Sequence, residues 1–329
     1  MRKPSRFRQV RLAAAAGFLF AAVLSLSNLF PPPGEASPTP SPTSSPHAPI
    51  GCDAATSLRL LEQDGTVTEL TLSDYLWRVV AAEMPASFHP EALKAQAVCA
   101  RTYTLWKMSA SLHGEEAHLC ASSSCCQACL TSAQAVEKWG DRAAEYTEKI
   151  ARAVADTDGR ILTYGGKPIQ ALFFSSSTHS TEDAAAVWGN ALPYLVSVVS
   201  PEGEDVPNYR TSVTLTEGEM RKLAQSAGAT LKGPPSQWIS KVRLTDSGRV
   251  AELTFGDVTL SGGAARTLFG LRSACFSVVE REDSFTFSVT GYGHGVGMSQ
   301  YGAETMAREG SLWQDIVLHY YTGITIQSM

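Results

Sequence analysis

The chain lacks a dominant charge. Its 27 Lys and Arg stand against 32 Asp and Glu, a formal balance of −5 over 329 residues. That mild acidity argues against the basic surface a nucleic-acid partner would need. No internal repeat is evident, which excludes a solenoid. The glycine-dense segment GYGHGVGMSQYGA, which starts at Gly291, lacks the Lys-Ser/Thr ending of a phosphate-binding loop, so a nucleotide suits it poorly. No cysteine directly follows the apolar run Leu12 to Phe30 to carry a lipid, and no Ala-x-Ala spacing marks a cleavage site there.

What is present begins with Arg2, Lys3, Arg6, Arg8 and Arg11, ahead of that run of about 19 residues. Such a run is near the minimum for a membrane span, and basic residues before it place the amino terminus in the cytoplasm. The expectation is an uncleaved N-terminal membrane anchor over residues 1–30, single-pass, with the globular part extracytoplasmic. Residues 31–50 are rich in Pro, Ser and Thr and read as a semi-rigid spacer. Hydrophobic residues make up 44% of the chain, ample for a core in 51–329, with lobes provisionally at 51–200 and 201–329.

The central stretch is TLSDYLWRVVAAEMPASFHPEALKAQAVCARTYTLW, from Thr71. Leu72, Leu76, Val79 and Val80 fall on one face of a helical period, and Thr71 with Asp74 resembles a capping box. The next position on that face is Glu83, and the helix ends there because the residue before Pro85 is pushed out of the helical region. Desolvation and the negative end of the helix dipole both favour a protonated carboxyl. A carboxylic acid that keeps its proton near neutral pH is what a general acid requires. The alternative is a carboxylate that rims the helix end and faces water. A second helix begins at Pro90, with Lys94 and Arg101 two turns apart on one face. They form either a solvated basic edge or a pair of cations that holds an anionic group. Cys99 reads as a small buried residue rather than a nucleophile.

Around this centre, residues 57–72 alternate as a hairpin about Asp64-Gly65. A helical stretch runs from Gln134 to Ala155, with Val136, Trp139, Ala143, Tyr146, Ile150 and Val154 on one face. Two strands, ILTY and PIQALFF, lead into the small polar loop SSSTHSTEDAAAVWG and a short helix through Ala186. Residues 194–199 read as a strand, Thr216 to Glu219 cap a helix, and a β-meander follows. The glycine-dense segment then opens a helix near Ser299 or Gln300. Its glycines permit close backbone approach to a ligand. Of the seven cysteines, Cys120, Cys125, Cys126 and Cys129 crowd into one loop with His113 and His118. Outside the cytoplasm this loop suits zinc, disulfides or free thiols.

The run DYLWRVVAAEMPASFHPEALKAQAVCARTYTL, with Glu-Met-Pro ahead of Pro-Glu-Ala-Leu-Lys-Ala-Gln-Ala and Ala-Arg-Thr-Tyr, resembles the signature of the stage II sporulation protein D family. The glycine-dense tail resembles it too, so the likeness spans about 60 to 329, broken by variable loops. The resemblance implies a peptidoglycan lytic transglycosylase of endospore-forming bacteria, acting on denuded glycan strands in sporulation and engulfment, beside a cell-wall amidase and other engulfment proteins. It makes Glu83 the catalytic acid. On that mechanism Lys94 and Arg101 are predicted to hold the lactyl carboxylate of muramic acid, and Ser176, Ser177, His179, His294, Gln300 and Tyr301 to bind the glycan, with Tyr292 as a further stacking face. His179 departs from the family pattern, where Gly or Arg is common. Some members hold a structural zinc through two cysteines and an upstream His, which here points to His113, Cys120 and Cys126, with Cys125 standing where the family has His. The expected fold is α+β, with helices packed on mainly antiparallel sheets and a substrate cleft between two lobes. Two rival readings are a non-catalytic glycan-binding activator of an amidase, and a hydrolase built on Cys99 and His294.

Overall fold

Residues 51–110, 113 and 116–329 are described by a computed structural model of the chain. They begin with a single helical turn, α1 (Cys52–Ala55), whose Asp53 is buried. The hairpin about Asp64-Gly65 forms from β1 (Ser57–Leu61) and β2 (Val67–Thr71), with Gly65 at a φ of 86° in the turn. Helix α2 (Leu72–Glu83) follows at once, and the Thr71 hydroxyl caps it by accepting the Asp74 N–H at 3.1 Å. Its predicted apolar face, Leu72, Leu76, Val79 and Val80, is wholly buried. Met84 takes an extended conformation ahead of Pro85 and ends the helix. Helix α3 (Pro90–Ala110) opens on its proline and packs against α2, with Ala92, Ala95, Ala97 and Ala100 buried.

Strand β3 (Leu119–Cys120) adds to β1 in parallel. The helix expected from Gln134 to Ala155 is instead two helices, α4 (Ser132–Trp139) and α5 (Ala143–Ala155). Gly140, at a φ of 54°, turns the chain between them, so Val136 is exposed while Tyr146, Ile150 and Val154 stay in the core. Next come β4 (Arg160–Tyr164), β5 (Lys167–Pro168), β6 (Phe173–Phe174) and the short α6 (Ala184–Trp188). The strand expected at 194–199 does not form. That segment is loop, held to residues 179–184 by one β-bridge between Ser180 and Val199 and by hydrogen bonds such as the Thr181 N–H to the Val198 carbonyl at 2.8 Å.

The chain then builds a second body. Strand β7 (Arg210–Thr216) leads into α7 (Glu217–Ser226), with a capping box formed by Thr216 and Glu219. The expected meander is β8 (Ile239–Leu244), β9 (Val250–Phe255) and β10 (Val258–Ser261), followed by α8 (Gly262–Leu268). Strands β11 (Phe276–Arg281) and β12 (Ser284–Thr290) pair with β7 in a second antiparallel sheet. Trp238, Phe255, Phe269, Phe285 and Phe287 fill the core here. The chain returns through β13 (Met298–Ser299), α9 (Gln300–Arg308), α10 (Trp313–Tyr320) and β14 (Thr325–Ser328). Strand β13 pairs with β6 in parallel and β14 pairs with β4 antiparallel.

The result is a mixed α+β fold with mainly antiparallel sheets and two hydrophobic cores. One core takes residues between Leu58 and Leu195 and again between Val296 and Ile324; the other lies between Met220 and Val289. A simple division at residue 200 therefore does not follow the cores, because the last segment returns to the first. No helix among the described residues is long and apolar enough to cross a membrane. The expected anchor over 1–30 and spacer over 31–50 lie outside the described residues.

A buried ion pair locks the entry of the chain onto α3. Arg101 is fully buried, and its Nε donates to Asp53 Oδ1 at 2.8 Å and its Nη2 to Oδ2 at 2.5 Å. Its Nη1 donates to the Arg160 carbonyl at 3.1 Å. Removal of one member leaves the other charged, buried and unpaired. Arg101→Met is expected to lower unfolding free energy in urea by about 3–5 kcal/mol, and Asp53→Asn added to it to recover part of the loss. A cost below about 1 kcal/mol for Arg101→Met would show that the pair does not hold the fold.

Candidate functional site

Glu83 ends α2 half-buried, and its Oε1 accepts the Ala128 N–H at 2.9 Å. Burial pushes its carboxyl above the ordinary range, against the opposing pull of the Ala128 N–H, the Gln300 side chain and the Lys138 charge. It opens on a cleft of about 390 Å³ whose walls include Tyr103, Gln127, Phe174, Trp188, Arg266 and His294. A smaller cavity of about 140 Å³ shares Trp188, Arg266, Gly293 and His294 with it. The walls come from both bodies: α2, α3 and the cysteine loop on one side, α8 on the other.

The glycine-dense segment sets the position of His294. Gly293 has a φ of 112°, and a Cβ there would lie 2.8 Å from Phe174 Cβ. At Gly297 a Cβ would lie 2.1 Å from the Leu172 carbonyl oxygen. Without side chains at these two points the segment lies flat on residues 172–174 and turns His294 into the cleft. The His294 ring stands 5.7 Å from Phe174 and 5.4 Å from Trp188. Its Nδ1 accepts the Val296 N–H at 3.1 Å. Burial pushes its pKa down to about 4, and the nearby Arg266 charge acts in the same direction. His294 is thus neutral at pH 7, with the proton on Nε2.

The other expected site residues divide sharply. Gln300 is buried, reaches Glu83 and lies 3.4 Å from Gln96 Oε1. Ser176 and Ser177 are buried under the cleft rather than facing it; the Ser177 N–H donates to Glu202 Oε1 at 2.6 Å and the Ser176 N–H to the Tyr292 carbonyl at 3.0 Å. His179 is exposed at a φ of 97°, outside the cleft wall. Tyr301 packs edge-on to Phe88 at 5.0 Å, and Tyr292 lies under the Arg272 guanidinium at 4.0 Å; neither lines the cleft.

The expected anion clamp on Lys94 and Arg101 needs correction. Arg101 is committed to Asp53, and Lys94 bridges Glu91 at 2.9 Å and Asp156 at 3.1 Å. Both lie away from the cleft because their face of α3 turns toward α1 and the end of α5. Cys99 is likewise buried apart from the cleft, its thiol pushed up to about 12 by burial and contacted by the Tyr321 hydroxyl at 3.4 Å. That removes the Cys99 and His294 hydrolase. Of the wall residues named above, five were not anticipated: Tyr103, Gln127, Phe174, Trp188 and Arg266. Trp188, exposed in a Val-Trp-Gly sequence, and Tyr103, the last residue of the Ala-Arg-Thr-Tyr run, carried a signal that was readable; Arg266 carried none, since only tertiary packing puts α8 and α2 on one cleft.

The cysteine loop gathers a donor cluster. His113 Nε2 lies 3.1 Å from Cys126 Sγ and 3.6 Å from Cys125 Sγ. With Cys120, all four donor atoms fall within 4.8 Å of one another, so the set could hold a metal ion. Cys125 joins the three expected ligands, whereas His118 accepts the Arg59 N–H at 3.1 Å and Cys129 is buried elsewhere. Three thiols and an imidazole suit a closed tetrahedral site. None of the seven cysteines is bridged. Ser123 to Gln127 line the cleft, and Ala128 just after them supplies the N–H on Glu83.

Comparison with known proteins decides the family. The chain is 40% identical over 264 residues to stage II sporulation protein D of Bacillus subtilis, covering 79% of this chain and 76% of that protein. It belongs to the stage II sporulation protein D family. The corresponding protein of Bacillus amyloliquefaciens is 40% identical over 263 residues, 79% of this chain and 75% of that protein. A family model described as stage II sporulation protein matches residues 62–164, the segment that carries Glu83 and the cysteine loop. The amidase enhancer of Bacillus subtilis is 27% identical over 308 residues, 76% of this chain but 40% of that protein. The chain is thus also similar to part of a protein named as an amidase enhancer.

The raised pKa of Glu83 has a definite consequence for stability. An unperturbed Glu titrates near 4.5 and the folded Glu83 higher, so the stability linked to its proton is fully present below the former and lost as pH rises through the latter. Glu83→Gln keeps a carbonyl for the Ala128 N–H and removes the buried charge. It is expected to unfold at higher urea than the parent at pH 7, with the gap narrowing at pH 4. An equal gap at both values would show that the carboxyl carries no burial cost.

Proposed function

We propose that the protein is a peptidoglycan lytic transglycosylase with Glu83 as its acid and base. The observation that carries this is the composition of the cleft: Glu83 is the one carboxylate among its described lining residues, and burial raises its pKa. Ordinary glycosidases set two carboxylates across the bond. A lone carboxyl suits a reaction in which the substrate supplies its own nucleophile. Protonated Glu83 gives its proton to the glycosidic oxygen as the C1–O bond breaks. The C6 hydroxyl of the same muramic acid then attacks C1, and its proton passes to the Glu83 carboxylate. The product carries a 1,6-anhydro end, no water is consumed, and the acid is regenerated. Trp188 and Tyr103 offer aromatic faces to sugar rings, and His294, held by the Val296 N–H and the Phe173 backbone, fixes the wall between Phe174 and Trp188.

The proposed setting is the outer face of the cell membrane during sporulation and engulfment, with denuded glycan strands as substrate and a cell-wall amidase as partner. The relative named amidase enhancer supports the partner class and also favours a second reading, a non-catalytic module that binds glycan and stimulates the amidase. We further propose that His113, Cys120, Cys125 and Cys126 hold a structural zinc. A closed set of four ligands has no position for reactive water, so the ion would fix the loop that presents Ala128 to Glu83.

Glu83→Gln is expected to fold, to bind peptide-free glycan strands as the parent does, and to form no anhydro ends by mass spectrometry. Retained turnover in that variant removes Glu83 as the acid; absence of anhydro ends from the parent favours the non-catalytic module. For the metal, protein purified without added zinc is expected to contain about one zinc per chain. Cys126→Ser should lose the zinc and loosen protection of the Ala128 amide against hydrogen exchange. Metal-free parent protein with a protected Ala128 amide would end the zinc proposal.

A further inference from the structure

The first body supplies the acid of the cleft, and the second supplies a cation. Arg266 projects from α8 and lines both the Glu83 cleft and the smaller cavity beside it. It is half-buried, yet no hydrogen bond or ion pair engages its guanidinium among the described residues. Other buried arginines are committed: Arg101 to Asp53, Arg78 to Glu62 at 2.8 and 2.9 Å, and Arg249 to the Ser180 carbonyl at 3.0 Å. The carboxylates nearby do not serve it. Glu182, at the smaller cavity, accepts from Thr245 Oγ1 at 2.6 Å, Ser247 Oγ at 2.5 Å and the Asp183 N–H at 3.2 Å. The groups that act on Glu83 are Ala128, Gln300 and Lys138, not Arg266.

A guanidinium withdrawn from water without a counter-charge is costly to the fold, and the same desolvation strengthens its grip on an arriving anion. Its planar fork matches a carboxylate through two parallel hydrogen bonds. The aromatic walls beside it suit a sugar ring, so the anion expected is one borne on a glycan. We propose that Arg266 pairs with the lactyl carboxylate of a muramic acid residue bound in the Glu83 cleft. The proposal rests on the glycan reading above. It assigns to α8 the role that spacing along α3 had suggested for Lys94 and Arg101. An attached stem peptide turns that carboxylate into a neutral amide and adds bulk, so the pairing selects strands already stripped of peptide.

The test uses the full chain carrying Glu83→Gln, which binds without cleavage, and two probes: peptide-free glycan strands, and the same strands with their carboxylates reduced to alcohols. Glu83→Gln protein is expected to bind the carboxylate strands about 10- to 100-fold more tightly than the reduced ones. Addition of Arg266→Gln should abolish that difference while leaving affinity for the reduced strands unchanged, and Arg266→Lys should restore part of it. Equal affinity for the two probes before any change at Arg266 overturns the proposal, whether or not the Arg266 variants fold. So does discrimination that persists in Arg266→Gln. Anhydro ends from the parent without carboxylate discrimination would remove Arg266 and leave the lyase standing. Discrimination through Arg266 without anhydro ends would keep Arg266 and remove the lyase.

Discussion

The hydrogen bond from the Ala128 N–H to Glu83 is the contact on which the site depends. It joins the last turn of one helix to the loop that carries the donor cluster, and with Gln300 and Lys138 it opposes the burial that raises the Glu83 pKa. A carboxyl entirely without donors would stay protonated and transfer its proton poorly; one fully solvated would lose the proton at neutral pH. That donor follows directly on Cys120 to Cys126 in the chain, so the surroundings of Glu83 and the geometry of the thiols are linked.

Beneath the cleft, buried carboxylates serve as struts. Glu202 accepts from the Ser177 N–H, the Ser200 hydroxyl and the Ser299 hydroxyl, and so ties the small polar loop to the start of α9. Glu182 does the same between that loop and the turn before β9. These acids have their lone pairs occupied by hydroxyls and amides, which explains how they are tolerated away from water. Ser176 and Ser177 belong to this framework. Their smallness allows the glycine-dense segment to pass close above them.

The sequence made much of this legible where local rules govern. The face of α2, the cap at Thr71, the stop before Pro85, the hairpin at Asp64-Gly65 and the meander all follow from period, capping and turn chemistry. Glu83 stood out because it broke an apolar stripe. Other features depended on partners far along the chain. Spacing placed Lys94 and Arg101 on one face of α3 but could not say that Asp53 would cover the second. Gly140 split a helix that periodicity carried through. Arg266 has no local peculiarity; only the packing of the second body puts it on the cleft that Glu83 lines.

The clasp at the start of the described chain also determines how the fold bears load. The Cys52 and Asp53 N–H groups both donate to the Asp158 carboxylate at 2.8 Å, and Asp53 in turn grips Arg101 in the middle of α3. Strain at Gly51 is therefore met at α3, the longest helix among the described residues, and at the turn after α5, not at a free strand edge.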